Sequence, residues 1–117
     1  MFKSKEVASS GIAHNAIAAG TMIKGNIHAE EDFRIDGKIE GNIECAGKVI
    51  IGPQSQIIGN IRCVNADLMG TVQGQIIVQE TLSLKSSVVL IGEVMTKYLE
   101  IEPGAVFNGT CKMEQER

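Results

Sequence analysis

The tripeptide Gly-Asn-Ile returns along this chain at Gly25-Asn26-Ile27, Gly41-Asn42-Ile43 and Gly59-Asn60-Ile61. Degenerate copies follow at Gly74-Gln75-Ile76, Gly92-Glu93-Val94 and Gly109-Thr110-Cys111, so that successive glycines stand 16, 18, 15, 18 and 17 residues apart. A unit this short cannot bury an apolar face of its own. Its repetition therefore predicts a solenoid, in which each unit is covered by the next.

The residues around the glycines keep a step of two. One unit reads Phe33, Ile35, Ile39, Gly41, Ile43, Cys45, and the next reads Val49, Ile51, Ile57, Gly59, Ile61, Cys63. Three more read Ala66, Leu68, Val72, Gly74, Ile76, Val78, then Leu82, Leu84, Leu90, Gly92, Val94, Thr96, then Leu99, Ile101, Phe107, Gly109, Cys111, Met113. A first unit is read as Ile17, Ala19, Ile23, Gly25, Ile27, Ala29. Two is the period of strands and not of helices. The spacing stretches at one place, between the second and third apolar positions. Turn residues collect there, as in Asp36-Gly37-Lys38, Gly52-Pro53-Gln54-Ser55, Lys85-Ser86-Ser87 and Glu102-Pro103-Gly104.

The expected fold is all-β: a single-domain parallel β-helix of about six coils, at roughly 4.8 Å per coil. Left-handed hexapeptide helices need a strict eighteen-residue coil. Here the coil starts lie 16, 16, 17, 16 and 17 residues apart, which favours the looser, right-handed type, although the pattern does not itself encode handedness. Residues 1–16 are read as a flexible lead-in, 17–113 as the β-helix and 114–117 as a short tail. With no Trp, one Tyr and three Phe, the core must be aliphatic.

Other functional classes lack their residues. A formal charge of −3 without a basic block gives no footprint for nucleic acid. No run reaches the ~18 apolar residues of a membrane span, and the opening residues carry no secretory signal, so a reducing cytosolic compartment is expected. Cys45 and Cys63 share a column in adjacent coils. A disulfide is within geometric reach, but that compartment favours thiols acting as small apolar fillers, and Cys111 is read as core as well. His14 and His28, the only histidines, are placed in the lead-in and on the surface, and neither metal nor catalytic ligands are expected. Asp36, Glu40 and Glu44 fall at outward positions without the pairing of an acid/base couple. No phosphate-binding loop or dinucleotide fingerprint is present, and no cofactor is expected.

The coils, above all Ile35-Asp36-Gly37-Lys38-Ile39-Glu40-Gly41-Asn42-Ile43, resemble the bactofilins, a family of bacterial polymer-forming cytoskeletal proteins, over Thr21–Met113. The opening Met1-Phe2-Lys3-Ser4-Lys5 resembles the short membrane-targeting motif of many members. The resemblance implies a right-handed β-helix that polymerises without nucleotide into non-polar filaments, often on the inner face of the cytoplasmic membrane. Its implied partners are further copies of the chain, the lipid surface and other cell-envelope proteins. The chain departs from longer members in having no Pro-rich tail.

Phe33 and Phe107 stand near opposite ends of an otherwise aliphatic pattern, and no polar cap closes either end. Monomeric solenoids carry such caps. The expected polymer interface is thus the final coil (Leu99, Ile101, Phe107, Cys111, Met113) and the first (Ile17, Ile23, Ile27), with Met1, Phe2, Lys3 and Lys5 as membrane-targeting residues. The alternative reading is a small β-helical enzyme or ligand-binding module of the hexapeptide-repeat or carbonic-anhydrase type.

Overall fold

A side chain that alternates inward and outward, on a chain that turns every few residues, can bury its apolar half only by winding around it. The computed structural model describes residues 14–113 and shows that winding. All strand pairings are parallel, and they form a β-solenoid of about six turns with no helix among the described residues.

The wall has three faces. The first stacks His14–Ile17, Asp32–Ile35, Lys48–Ile51 and Asn65–Leu68, then the ends of two long strands, Thr71–Leu84 and Val89–Ile101. The second stacks Met22–Lys24, Lys38–Glu40 and Gln56–Ile58 on the starts of those long strands and of Val106–Met113. The third stacks Ile27–Ala29, Ile43–Cys45 and Ile61–Cys63 below the remaining parts of the same three strands. Like sits on like: Ile23, Ile39, Ile57, Val72, Leu90 and Phe107 form one continuous column. In the inner coils these columns are closed to water, Ile35, Ile39, Val49, Ile51, Leu68, Val72, Ile76, Leu82, Leu84 and Leu90 having no exposed surface.

The first coil departs from the expected register. Its strand begins at His14, and Ile17 pairs with Ile35 rather than Phe33, so Asn15 occupies the Phe33 column. Ala19 is not in a column at all. It lies exposed in a turn that Thr21 N closes on Ala18 O at 3.2 Å. Ile17 and Ala19 imitate the period of two by coincidence, because the corner that follows has four residues instead of two.

Corners on this edge hold either four residues or two. Four-residue corners are closed by Ser55 N to Gly52 O (3.1 Å), Val88 N to Lys85 O (3.0 Å) and Ala105 N to Glu102 O (3.2 Å). The two-residue corners Asp36-Gly37 and Met69-Gly70 nest on the longer turns beneath them. A Cβ on Gly37 would strike the carbonyls of Thr21 and Ala18, and one on Gly70 those of Gly52 and Ser55. Ser55 is buried in this column, where its one hydroxyl proton is shared between Ile35 O (2.7 Å) and Gly52 O (2.8 Å).

The Gly-Asn-Ile repeat lies at the corner between the second and third faces, and both polar residues have a task there. Gly41 and Gly59 adopt φ of 152° and 147°, and a Cβ on either would land on the carbonyl oxygen of the glycine one coil below. The following amide cannot find a backbone partner in the lower coil, so a side chain supplies one. Asn26 Oδ1 accepts from Asn42 N (3.0 Å), Asn42 Oδ1 from Asn60 N (3.1 Å), and Asn60 Oδ1 from Gln75 N (3.0 Å). Above Gln75 the ladder of asparagines ends, and the strands run through the corner with Gly74, Gly92 and Gly109 paired in register.

Two alanine substitutions separate conformational strain from coil spacing. Gly25 has φ of 141°, and among the described residues nothing lies within 4 Å of the place its Cβ would take, so Gly25→Ala meets the left-handed backbone penalty of about 1–2 kcal/mol alone. Gly59→Ala meets the same penalty and the Gly41 carbonyl, adding about 1–3 kcal/mol of overpacking. At about 4–8 °C per kcal/mol, Gly59→Ala should melt well below Gly25→Ala in a circular dichroism scan. Equal melting temperatures would mean that the coils can part at this corner without cost.

Candidate polymer interface

Each column buries its members by stacking, so the column ends have one covered side and one bare side. Leu99, Phe107 and Ala105 in the last coil are only half-buried, while Ile101 is 53% and Met113 48% exposed and Cys111 is open. Their counterparts one coil inward, Leu82, Leu90, Val88, Leu84, Thr96 and Val94, are all buried. Ile17, Ile23 and Ile27 are likewise half-buried at the other end, against fully covered Ile35, Ile39 and Ile43. The residues named from the sequence as interface candidates therefore gather into two apolar end surfaces. Cys111, expected in the core, keeps its column but is exposed, with no coil above it among the described residues.

The backbone is open at the same places. Strands of the last coil pair only with the coil below, and those of the first only with the coil above, among the described residues. Such edges present unpaired donors and acceptors to any strand that arrives. Pro103 sits in the Glu102–Ala105 turn, outside Val106–Met113, and does not obstruct that edge. Ala105, which continues the corner column of Gly37, Ser55, Gly70 and Val88, was not read from the sequence, because the corner lengths hide its register.

Met1, Phe2, Lys3 and Lys5 lie outside the described residues. Asp32, at the start of its strand, ties its coil to the next, since its Oδ1 accepts from Lys48 N at 2.9 Å. His28 is exposed on the third face and its Nδ1 lies 3.2 Å from Glu44 Oε1. Among the described residues no three His, Cys, Asp or Glu side chains gather as a metal set, and no helix is long and apolar enough to cross a membrane. Surface grooves on the third face, one lined by Asn42, Glu44, Asn60, Arg62, Gln75 and Ile77, run between outward side chains of neighbouring coils.

Cys45 and Cys63 are buried free thiols. Cys45 donates weakly to Glu31 O at 3.2 Å. Burial, and then the neighbouring Cys45, push the Cys63 thiol from its ordinary 9.0 up to about 12.

Comparison with known proteins fits this geometry. The family model "Bactofilin: Polymer-forming cytoskeletal" matches residues 15–112. Bactofilin BacP of Myxococcus xanthus is 27% identical over 114 residues, covering 97% of this chain and 48% of its own length. Bactofilin BacO of the same organism is 25% identical over 105 residues, covering 90% of this chain and 83% of its own. The chain thus spans about half the length of BacP. No solved structure matches it.

The buried thiol makes stability depend on alkaline pH. An unfolded Cys63 loses its proton near 9 while the folded one holds it to about 12, so folding retains a proton across that window. The contribution is complete below pH 9 and is lost as pH rises toward 12, on the order of a few kcal/mol. Urea midpoints measured from pH 8 to pH 11 should fall less steeply for Cys63→Ala than for the parent. Parallel slopes would show that the thiol ionises as easily folded as unfolded.

Proposed function

This chain belongs to the bactofilin family of polymer-forming cytoskeletal proteins, and from that premise we propose that it builds filaments by joining its bare coil ends. The observation that carries this reading is the pair of open, apolar end surfaces on a solenoid whose other columns are closed. A half-buried aliphatic or aromatic side chain that becomes covered gains a share of the ~1.5–3 kcal/mol of full burial. Leu99, Ile101, Phe107, Cys111 and Met113 gain together when a second end meets them. The paired strand edges add hydrogen bonds to the same event.

When like ends meet, the contact is isologous and a filament of alternating contacts has no polarity. Apolar association of this kind proceeds without nucleotide or divalent metal and is little affected by salt. Phe2, followed by Lys3 and Lys5, supports a membrane role for the opening residues: one ring among the headgroups, with each lysine adding about 1 kcal/mol at an anionic surface. A filament displaying many such weak anchors binds far more firmly than one chain. The protein then works as a scaffold on the inner face of the cytoplasmic membrane, where it meets other cell-envelope proteins. The enzymatic alternative gains no support from the end surfaces, which are apolar and bring no acid/base pair together among the described residues.

Two experiments test the two halves of this reading. Phe107→Arg places a charge in the middle of the terminal surface, where burial without a partner costs on the order of 3 kcal/mol or more. The parent chain should form filaments by electron microscopy, and Phe107→Arg should give β-rich monomers, or dimers held by the first coil. Long filaments of Phe107→Arg would rule out the last coil as the interface. Separately, removing residues 1–5 should release polymer from phosphatidylglycerol vesicles without dissolving it, and undiminished flotation would remove the anchor.

A further inference from the structure

The three outer faces of the wall differ in charge. Over the third to sixth coils the first face turns Lys48, Asp67 and Glu100 outward, and the third face turns out Arg62, Glu93 and Lys112. The second face over the same coils turns out two columns, Gln56-Thr71-Val89-Val106 and Ile58-Gln73-Ile91-Asn108. Neither contains a charge. Charged residues on this face appear only below, at Lys24, Lys38 and Glu40. Ile58, Ile91 and Val106 are 53%, 41% and 44% exposed. Proteins ordinarily break such a flat, β-branched, uncharged strand surface with lysine, glutamate or proline.

We propose that this plate on the second face is where two copies of the chain lie side by side, so that filaments pair laterally. A second copy fits its chemistry better than a lipid surface does. The plate offers no cation to an anionic headgroup: Lys85 at one border is 3.7 Å from Glu102, and Glu93 stands beyond the other. Aliphatic and amide side chains also alternate along the column Ile58, Gln73, Ile91, Asn108. Entering hydrocarbon would strip water from Gln73, Thr71 and Asn108 without giving them partners. A two-fold axis running along the column Ile58, Gln73, Ile91, Asn108 sets each of these residues against its own copy, aliphatic on aliphatic and amide on amide, at the ~10 Å separation of stacked sheets.

The plate is continuous with the open end, which it reaches at Val106 and Asn108, on the strand that carries Phe107. The lateral contact rests on the end-to-end reading in one respect: a single plate of two columns is small, and a filament repeats it with every subunit, multiplying a weak contact.

The test uses the full chain with Ile91→Lys, Gln73→Lys as a second plate variant, and Ile50→Lys on the first face as a control, each checked for β-structure by circular dichroism. Parent and Ile50→Lys filaments should appear paired or bundled by negative stain. The two plate variants should form filaments of equal length and about half the width. Single parent filaments, or pairing that survives both plate variants, overturns the lateral contact and leaves end-to-end joining intact. Variants that stay paired but no longer float with phosphatidylglycerol vesicles assign the plate to lipid and overturn it too. If the parent forms no filament, end-to-end joining fails. Discrete dimers that Ile91→Lys splits would then uphold the lateral contact, and monomers would overturn both.

Discussion

Everything in this molecule depends on the distance that parallel backbone pairing imposes between coils. Inter-coil amide bonds such as Gly41 N to Ile58 O (2.9 Å) and Ile43 N to Asn60 O (2.8 Å) hold each turn of chain directly above the last. That spacing leaves each side chain a like neighbour above and below, which is why the columns are aliphatic ladders. It also leaves no space for a Cβ where one corner carbonyl points at the next corner's Cα, which is why glycine repeats. The asparagine after it repairs the one amide that the corner leaves unpaired. Core, corner and repeat are thus three outcomes of a single spacing.

The columns of the inner coils were legible because a strand in a buried wall has one periodicity, and the apolar positions read from Phe33 to Thr96 face the core as that periodicity predicts. The first coil misled for an equally physical reason. Ile17 and Ala19 keep the period of two although only Ile17 reaches the wall, and nothing in the sequence distinguishes a four-residue corner from a strand continuing past Ile17. Val88 and Ser55 are buried at corners that read as turns, because the last residue of a four-residue corner closes the turn and packs back into the wall. The role of Asn26, Asn42 and Asn60 had a visible signal, the same amide after the same glycine three times. It could not be interpreted before the direction of the following N–H was known.

The exposed apolar side chains of the last described coil were legible because Phe107 and Met113 continue the core pattern. The uncharged plate was not, because Gln56, Thr71, Val89 and Val106 are scattered through the sequence and become neighbours only when the faces are assigned. Charge is unremarkable in each coil taken singly. The asymmetry exists only between faces.

The amide bonds between coils run along the winding axis, so in a filament joined as proposed a pull loads them in tension. Inside a subunit two adjacent coils are also joined by the chain itself, and separating them requires unwinding a whole turn. No such covalent thread crosses from one subunit to the next. Under strain such a filament parts at its joints and not within its subunits. Each break then leaves the same two clean coil ends that made the joint, ready to join again.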